Sequence, residues 1–213
     1  MLDHIGQIPA NAARRYGDKT ALIFDGKSFS FNTLNALIEG AAGGLSNLGI
    51  RQGDTVTLYA DNSWEWVVSY YAIARLGAVI NPVNTMLTSA EIDYVVTDCG
   101  AKAIIASADK IGEIKGLQDV SAVSTIISFG HQVADGSVSF SDLLASDKTV
   151  PPLQNVDTNT LATIAYTSGT TGRPKGAMQS HRAVITNSAM TSQMHMRGPE
   201  DTAISALPCP HVY

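Results

Sequence analysis

Strand-like and helix-like stretches alternate along most of this 213-residue chain, and that alternation limits the architectures open to it. A hairpin is predicted first, with Thr20–Phe24 and Ser28–Phe31 flanking Asp25-Gly26, a dipeptide that tolerates the positive φ of a primed turn. Leu34, Leu37, Ile38, Ala41, Leu45 and Leu48 then fall on one face of a helix, which Gly49 stops in a left-handed conformation. Thr55–Tyr59 reads as a strand. Asn62 or Ser63 can cap a following helix that carries Trp64, Val67, Val68, Tyr71 and Ala72 and ends at Gly77. Ala78–Ile80 is a short strand closed by Asn81-Pro82. Thr88 and Glu91 have the spacing of a capping box, opening a helix that runs to about Cys99. Ala103–Ala106 and Thr125–Phe129 are further strands, with a weaker helix over Lys110–Leu117 between them. Such a pattern predicts an α/β fold with mostly parallel sheets covered by helices on both faces.

The pattern lapses over 146–159, around Pro151-Pro152, which reads as a linker or a boundary. Residues 1–157 are therefore expected to form a first α/β subdomain, and 158–213 the start of a second. In that second part Leu161–Tyr166 is a predicted strand, His181 to about Met196 a helix, and Thr202–Leu207 a strand ending at Pro208.

Composition removes several classes of function. The net charge of −5 argues against a general nucleic-acid binder, which carries a basic footprint. The longest charge-free runs, such as Leu76–Ala90, contain Gly, Pro and polar residues and fall short of a membrane span. Met1-Leu2-Asp3-His4-Ile5 lacks the basic start and apolar stretch of a signal peptide. Cys99 and Cys209 make no disulfide framework, so the expected compartment is the reducing cytoplasm. Charged residues amount to only 15%, which fits faces meant to be covered by further chain.

The chemistry is concentrated in Tyr166-Thr167-Ser168-Gly169-Thr170-Thr171-Gly172-Arg173-Pro174-Lys175-Gly176, directly after a predicted strand. Open α/β sheets bind ligands at the carboxyl ends of their strands. The glycines free the backbone to turn amides toward an anion, and Thr167, Ser168, Thr170 and Thr171 add hydroxyl donors. Lys175 adds a flexible positive charge, with Arg173 as a possible second. Donors without a carboxylate suit a polyphosphate. A flexible Gly/Ser/Thr linker is the plain alternative, but the run sits between a strand and a further strand–helix pair. A Walker A loop also fails, because Pro174 stands where its second glycine belongs and Gly176 where Ser or Thr should follow Lys175.

This run resembles the signature loop of the adenylate-forming superfamily, which includes acyl- and aryl-CoA synthetases, luciferase and peptide-synthetase adenylation domains. Other segments resemble that family too: Leu48-Gly49-Ile50-Arg51-Gln52-Gly53-Asp54-Thr55-Val56, Asn62-Ser63-Trp64-Glu65-Trp66, Gly77-Ala78-Val79-Ile80-Asn81-Pro82-Val83-Asn84 and Leu207-Pro208-Cys209-Pro210-His211. The resemblance implies part of the amino-terminal domain of that fold, with the carboxyl-terminal domain absent. It also implies an AMP-forming carboxylate–CoA ligase, with a fatty acid as first expectation and an aryl acid second. ATP, Mg²⁺ and coenzyme A are the implied cofactors, and a small carboxylic acid the implied substrate. By the same resemblance Thr167, Ser168, Gly169, Thr170, Thr171, Gly172 and Lys175 bind the nucleotide, while Lys175, Thr167 and His211 are the catalytic candidates. No metal ligand is assigned. The chain is expected to be inactive alone. An adenylation domain serving a carrier protein, and a non-catalytic nucleotide-binding module, are the alternatives.

The remaining marked residues have plainer expectations. His4, His131, His181 and His195 lack ligand spacing and are expected in surface or structural roles. Cys209 carries no sign of a lowered pKa. Trp64, Trp66, Tyr70 and Tyr71 are expected to pack in the core.

Overall fold

The computed structural model describes residues 4–117, 121–130, 133–145, 155–167 and 173–210. A short 3-10 turn, Ile5–Gln7, leads into α1 (Ile8–Tyr16), and β1 (Thr20–Phe24) pairs with β2 (Lys27–Ser30) as an antiparallel hairpin. Asp25 and Gly26 both take positive φ, as the dipeptide required. The main sheet follows from α2 (Phe31–Asn47), β3 (Thr55–Tyr59), α3 (Trp64–Arg75), β4 (Val79–Pro82), α4 (Ser89–Asp98) and β5 (Ala101–Ser107). It is completed by β6 (Thr125–Phe129), β7 (Val138–Ser139), α5 (Phe140–Ala145), β8 (Leu161–Thr167), β9 (Lys175–Ser180) and α6 (His181–Met194). The strand order is β7-β6-β5-β3-β4-β8-β9, parallel throughout except for the β8–β9 pair. The α/β expectation therefore holds.

Local chemistry sets most element ends. Ser30 accepts from the Thr33 amide, Ser63 from the Trp66 amide and Ser180 from the Ala183 amide. The capping box is complete at α4, with Thr88 and Glu91 each bonding the other's backbone amide. Beyond α2, Gly49 sits at φ 87° and the Ile50 amide returns to the Leu45 carbonyl, the 6→1 bond of a Schellman motif.

Three expectations need correction. The stretch after β5 is a 3-10 helix over Ala108–Ile114 rather than an α-helix over Lys110–Leu117. Gly112 interrupts helix propensity there, and its only large apolar anchors are Ile111, Ile114 and Leu117, too few to hold a long amphipathic face. Thr202–Leu207 is irregular, with Ile204 and Leu207 exposed, because no described strand lies alongside to satisfy its backbone. The last helix ends at Met194, and Met196 beyond it has a positive φ. Elements β7 and α5 were not anticipated; α5 buries Phe140 and Leu143, part of the same core as α2. Residues 146–154 of the expected linker lie outside the described residues, but Val156 at its end is buried.

Two apolar cores flank the sheet. One gathers Ile38, Leu45, Val56, Leu58, Val68, Ile73, Ile105 and Phe140, with Trp66 buried in it and Trp64, Tyr70 and Tyr71 packed against it. Those aromatics pack as core: Trp64 stacks on Phe29 and Trp66 on Tyr70. The other gathers Ile92, Val95 and Val96 of α4 with Ile104, Ile114 and Ile126.

Buried polar groups tie the sheet together at two points. Asn81, fully buried near the end of β4, accepts from the Thr57 hydroxyl at 2.8 Å and the Cys99 thiol at 3.6 Å. Its Nδ2 donates to the Ile164 carbonyl of β8 at 2.8 Å. This matters because Ile80 and Thr163 are the one opposed pair between β4 and β8 among the described residues. At the second point, buried His4 and His181 meet edge to face, their rings 5.5 Å apart, and the Ile5 amide donates to His181 Nδ1. The histidines thus clasp the amino-terminal turn to the start of α6, a structural role as expected.

Both points generate tests. Asn81→Leu removes the acceptor of the Thr57 hydroxyl and the Nδ2 donor to the Ile164 carbonyl, and should lower stability by roughly 2–4 kcal/mol in urea denaturation. Burial first, and the neighbouring His4 second, push His181 down from 6.5 to about 4. Between these values the unfolded chain binds the His181 proton and the folded chain does not, so stability rises with pH across that window. The urea midpoint should accordingly fall as pH is lowered from 6.5 to about 4, and His181→Asn, which keeps an acceptor for the Ile5 amide, should flatten that part of the profile.

Candidate functional site: the hairpin between two strands

β8 and β9 form an antiparallel hairpin in which Thr167, the last residue of β8, stands opposite Lys175, the first of β9. Both are exposed. The loop that joins them, with Ser168, Gly169, Thr170, Thr171 and Gly172, lies outside the described residues, as does His211. What is visible is therefore the stem of the loop: a hydroxyl and an ammonium side by side at the carboxyl end of a strand. That position matches the rule for ligand crevices in open α/β sheets.

The alternation of side chains divides the hairpin into two faces. Thr167, Ala165 and Thr163 share one face with Lys175, Ala177 and Gln179, and the Thr163 hydroxyl donates to Gln179 Oε1 at 2.9 Å. The opposite face carries Ile164 and Tyr166 across from Met178 and Gly176. Tyr166 lies so close over Gly176 that an added Cβ there would come within 3.1 Å of the ring, and within 2.8 Å of Ile164. Any larger residue there would force Ile164 or Tyr166 to shift. The Tyr166 hydroxyl donates to the Asp98 carboxylate at 2.5 Å, and its pKa is raised by burial and then by that hydrogen bond, so it stays a donor. Arg173, at the far side of the loop, places its guanidinium 5.6 Å from the centre of the Tyr94 ring. Its charge is thus committed to an aromatic face in addition to any ligand.

The segment leading to His211 is also held. Asn62 donates through Nδ2 to the Leu207 carbonyl at 2.8 Å and accepts from the Cys209 amide at 2.6 Å. Of the two caps considered for α3, Ser63 does the capping and Asn62 instead reaches across to residues 207–209. Burial raises the Cys209 thiol, which leaves it a poor nucleophile. Cys99 is pushed up to about 11 for the same reason.

Sequence reasoning missed the supports of this site: Asn81 behind β8, Asn62 beneath residues 207–209, and Tyr94 and Asp98 on α4. Asn81 and Asn62 stood inside recognised segments, but a side-chain carboxamide gives no local signal of the distant backbone it will bond. Among the described residues no group of three or more His, Cys, Asp or Glu side chains could hold a metal ion. No helix of the described residues is long and apolar enough to cross a membrane.

Comparison with known proteins bears on the whole chain. A 4-coumarate–CoA ligase of Oryza sativa subsp. japonica is 35% identical over 194 residues, which cover 88% of this chain and 35% of the relative. ATP-bound MatB of Rhodopseudomonas palustris superposes with a TM-score of 0.87 at 31% identity, covering 99% of this chain and 41% of that one. A long-chain-fatty-acid–CoA ligase of Archaeoglobus fulgidus, at 24% identity, shows the same fold with a TM-score of 0.88 over 99% of this chain and 44% of its own. The chain thus spans about a third of the length of that curated relative. The family model for AMP-binding enzymes matches residues 9–213, and the chain belongs to that family, within the adenylate-forming superfamily.

Proposed function

We propose that this chain is the phosphate-gripping part of an ATP-dependent carboxylate–CoA ligase that works through an acyl-adenylate. The observation that carries the reading is the pairing of Thr167 with Lys175 across the stem of a loop rich in glycine and hydroxyl side chains, within a chain of the AMP-binding family. A carboxylate resists a thiol because it is anionic and would have to expel oxide. Activation removes that obstacle. A carboxylate oxygen bonds to the α-phosphorus of ATP while the bond from that phosphorus to the bridging oxygen breaks and pyrophosphate leaves. The thiol sulfur of coenzyme A then bonds to the acyl carbon, loses its proton, and AMP departs with the electron pair of the broken acyl–oxygen bond.

In the first step negative charge grows on the departing pyrophosphate. We assign its stabilisation to the Lys175 ammonium and to the hydroxyls of Thr167, Ser168, Thr170 and Thr171, with Gly169 and Gly172 letting backbone amides approach. His211 is proposed to face the carboxylate and α-phosphate, on the family resemblance of its segment. The division at 157/158 is proposed to separate a first subdomain from the one that begins with the hairpin. A fatty acid is the first acid proposed and an aryl acid the second, the latter supported by the 35% identity to a 4-coumarate–CoA ligase. Residues 1–213 alone are proposed to be inactive, and robust adenylate formation by them would overturn that part.

The test is ATP–pyrophosphate exchange by the full-length enzyme across a panel of fatty and aryl acids. Lys175→Ala should slow exchange by about 10²-fold, the order found for removing one charge-stabilising donor, while binding of the carboxylate changes by less than about threefold. An unchanged exchange rate rejects the role of Lys175. No exchange with any acid, alongside tight nucleotide binding, favours the non-catalytic module.

A further inference from the structure

The loop stem is braced from behind by one helix. α4 is anchored in its own right: its amino terminus is closed by the Thr88–Glu91 capping box, and Ile92, Val95 and Val96 are buried in the core. Tyr94 and Asp98 stand four residues apart, so they lie on the same helical face, one turn above the other. Asp98 receives the hydroxyl of Tyr166, the residue immediately before Thr167. Tyr94 receives the guanidinium of Arg173, two residues before Lys175. One side of the loop is therefore held by a charge-assisted hydrogen bond and the other by a cation–π contact, both to the same helix. Tyr166 lies on the hairpin face opposite Thr167 and Lys175, and Gly176 leaves the room for its ring to cross β9.

We propose that Tyr94 and Asp98 are positioning residues for nucleotide binding: by holding Arg173 and Tyr166 they fix Thr167 opposite Lys175 at the spacing the polyphosphate needs. The inference rests on the proposed ligase reading for its substrate. Each acts through the strand end it holds. Both anchors on a single helix tie the two strand ends, opposed already in the β8–β9 ladder, to α4.

The experiment measures ATP–pyrophosphate exchange by the full-length enzyme at varied ATP and varied carboxylate. Asp98→Ala and Tyr94→Leu should each lower kcat/KM for ATP by about tenfold, in line with the cost of small misplacements of binding groups, and leave KM for the carboxylate unchanged. Asp98→Asn keeps an acceptor oxygen and Tyr94→Phe keeps the ring face, so both should restore ATP kinetics to within about twofold of the unsubstituted enzyme. A purely structural role would lower the parameters of both substrates together through loss of folded enzyme. That outcome, or equal damage from Asp98→Asn and Asp98→Ala, overturns the proposal. Amide hydrogen exchange at Thr167 and Lys175 supplies a readout that needs no catalysis: it should quicken in Asp98→Ala and Tyr94→Leu, and unchanged exchange there overturns the brace. Absence of activity in the unsubstituted enzyme counts against the ligase reading, and hydrogen exchange still decides the brace.

Discussion

Among the described residues β8 reaches the parallel sheet through the opposed pair of Ile80 and Thr163 and through the carboxamide of Asn81, which joins the Thr57 hydroxyl of β3 to the Ile164 carbonyl of β8. The amide is fully buried, and each of its polar atoms would be costly if unpaired. With partners on two neighbouring strands and the Cys99 thiol, it has a reason to hold one orientation. β8 is thereby set at one height relative to β3 and β4, three residues before Thr167. Everything downstream, from the hairpin to the register of β9, follows from where β8 is held.

The hairpin then separates support from chemistry by the simple alternation of a strand. Thr167 and Lys175 occupy one face, while Tyr166 and Gly176 occupy the other and face α4. A change to the face that carries Tyr166 and Gly176 can shift Thr167 and Lys175 without altering their side chains. Asn62 extends the same logic to residues 207–209 by pinning their backbone from the start of α3. The polar side chains that matter most for shape here are ones that bond backbone far away in sequence.

Legibility in the sequence followed how local each cause was. The capping box at Thr88–Glu91, the Asp25-Gly26 turn and the Gly49 stop depend on residues within a few positions, and all three stand as read. The Thr125–Phe129 strand was equally clear, because β-branched and aromatic residues cluster there. Thr202–Leu207 has a similar local look but stays irregular, since a strand exists only when a neighbour takes up its hydrogen bonds. The choice of Ser63 over Asn62 as the cap of α3 was open on local grounds; it was settled by Leu207 and Cys209, more than a hundred residues away.

The sequence by itself determined the α/β class, through its alternating periodicities, and the concentration of glycines, hydroxyls and an ammonium in the run from Thr167 to Lys175. These are properties of short windows, where spacing and side-chain chemistry suffice. Tertiary structure decided that Thr167 faces Lys175 across a hairpin, that α4 braces it through Tyr94 and Asp98, and that Asn81 carries β8. Each of those depends on which distant groups meet in the folded chain. Hydrogen-bond partners are chosen there by the need to satisfy buried polar atoms, a condition that no short window of residues can express.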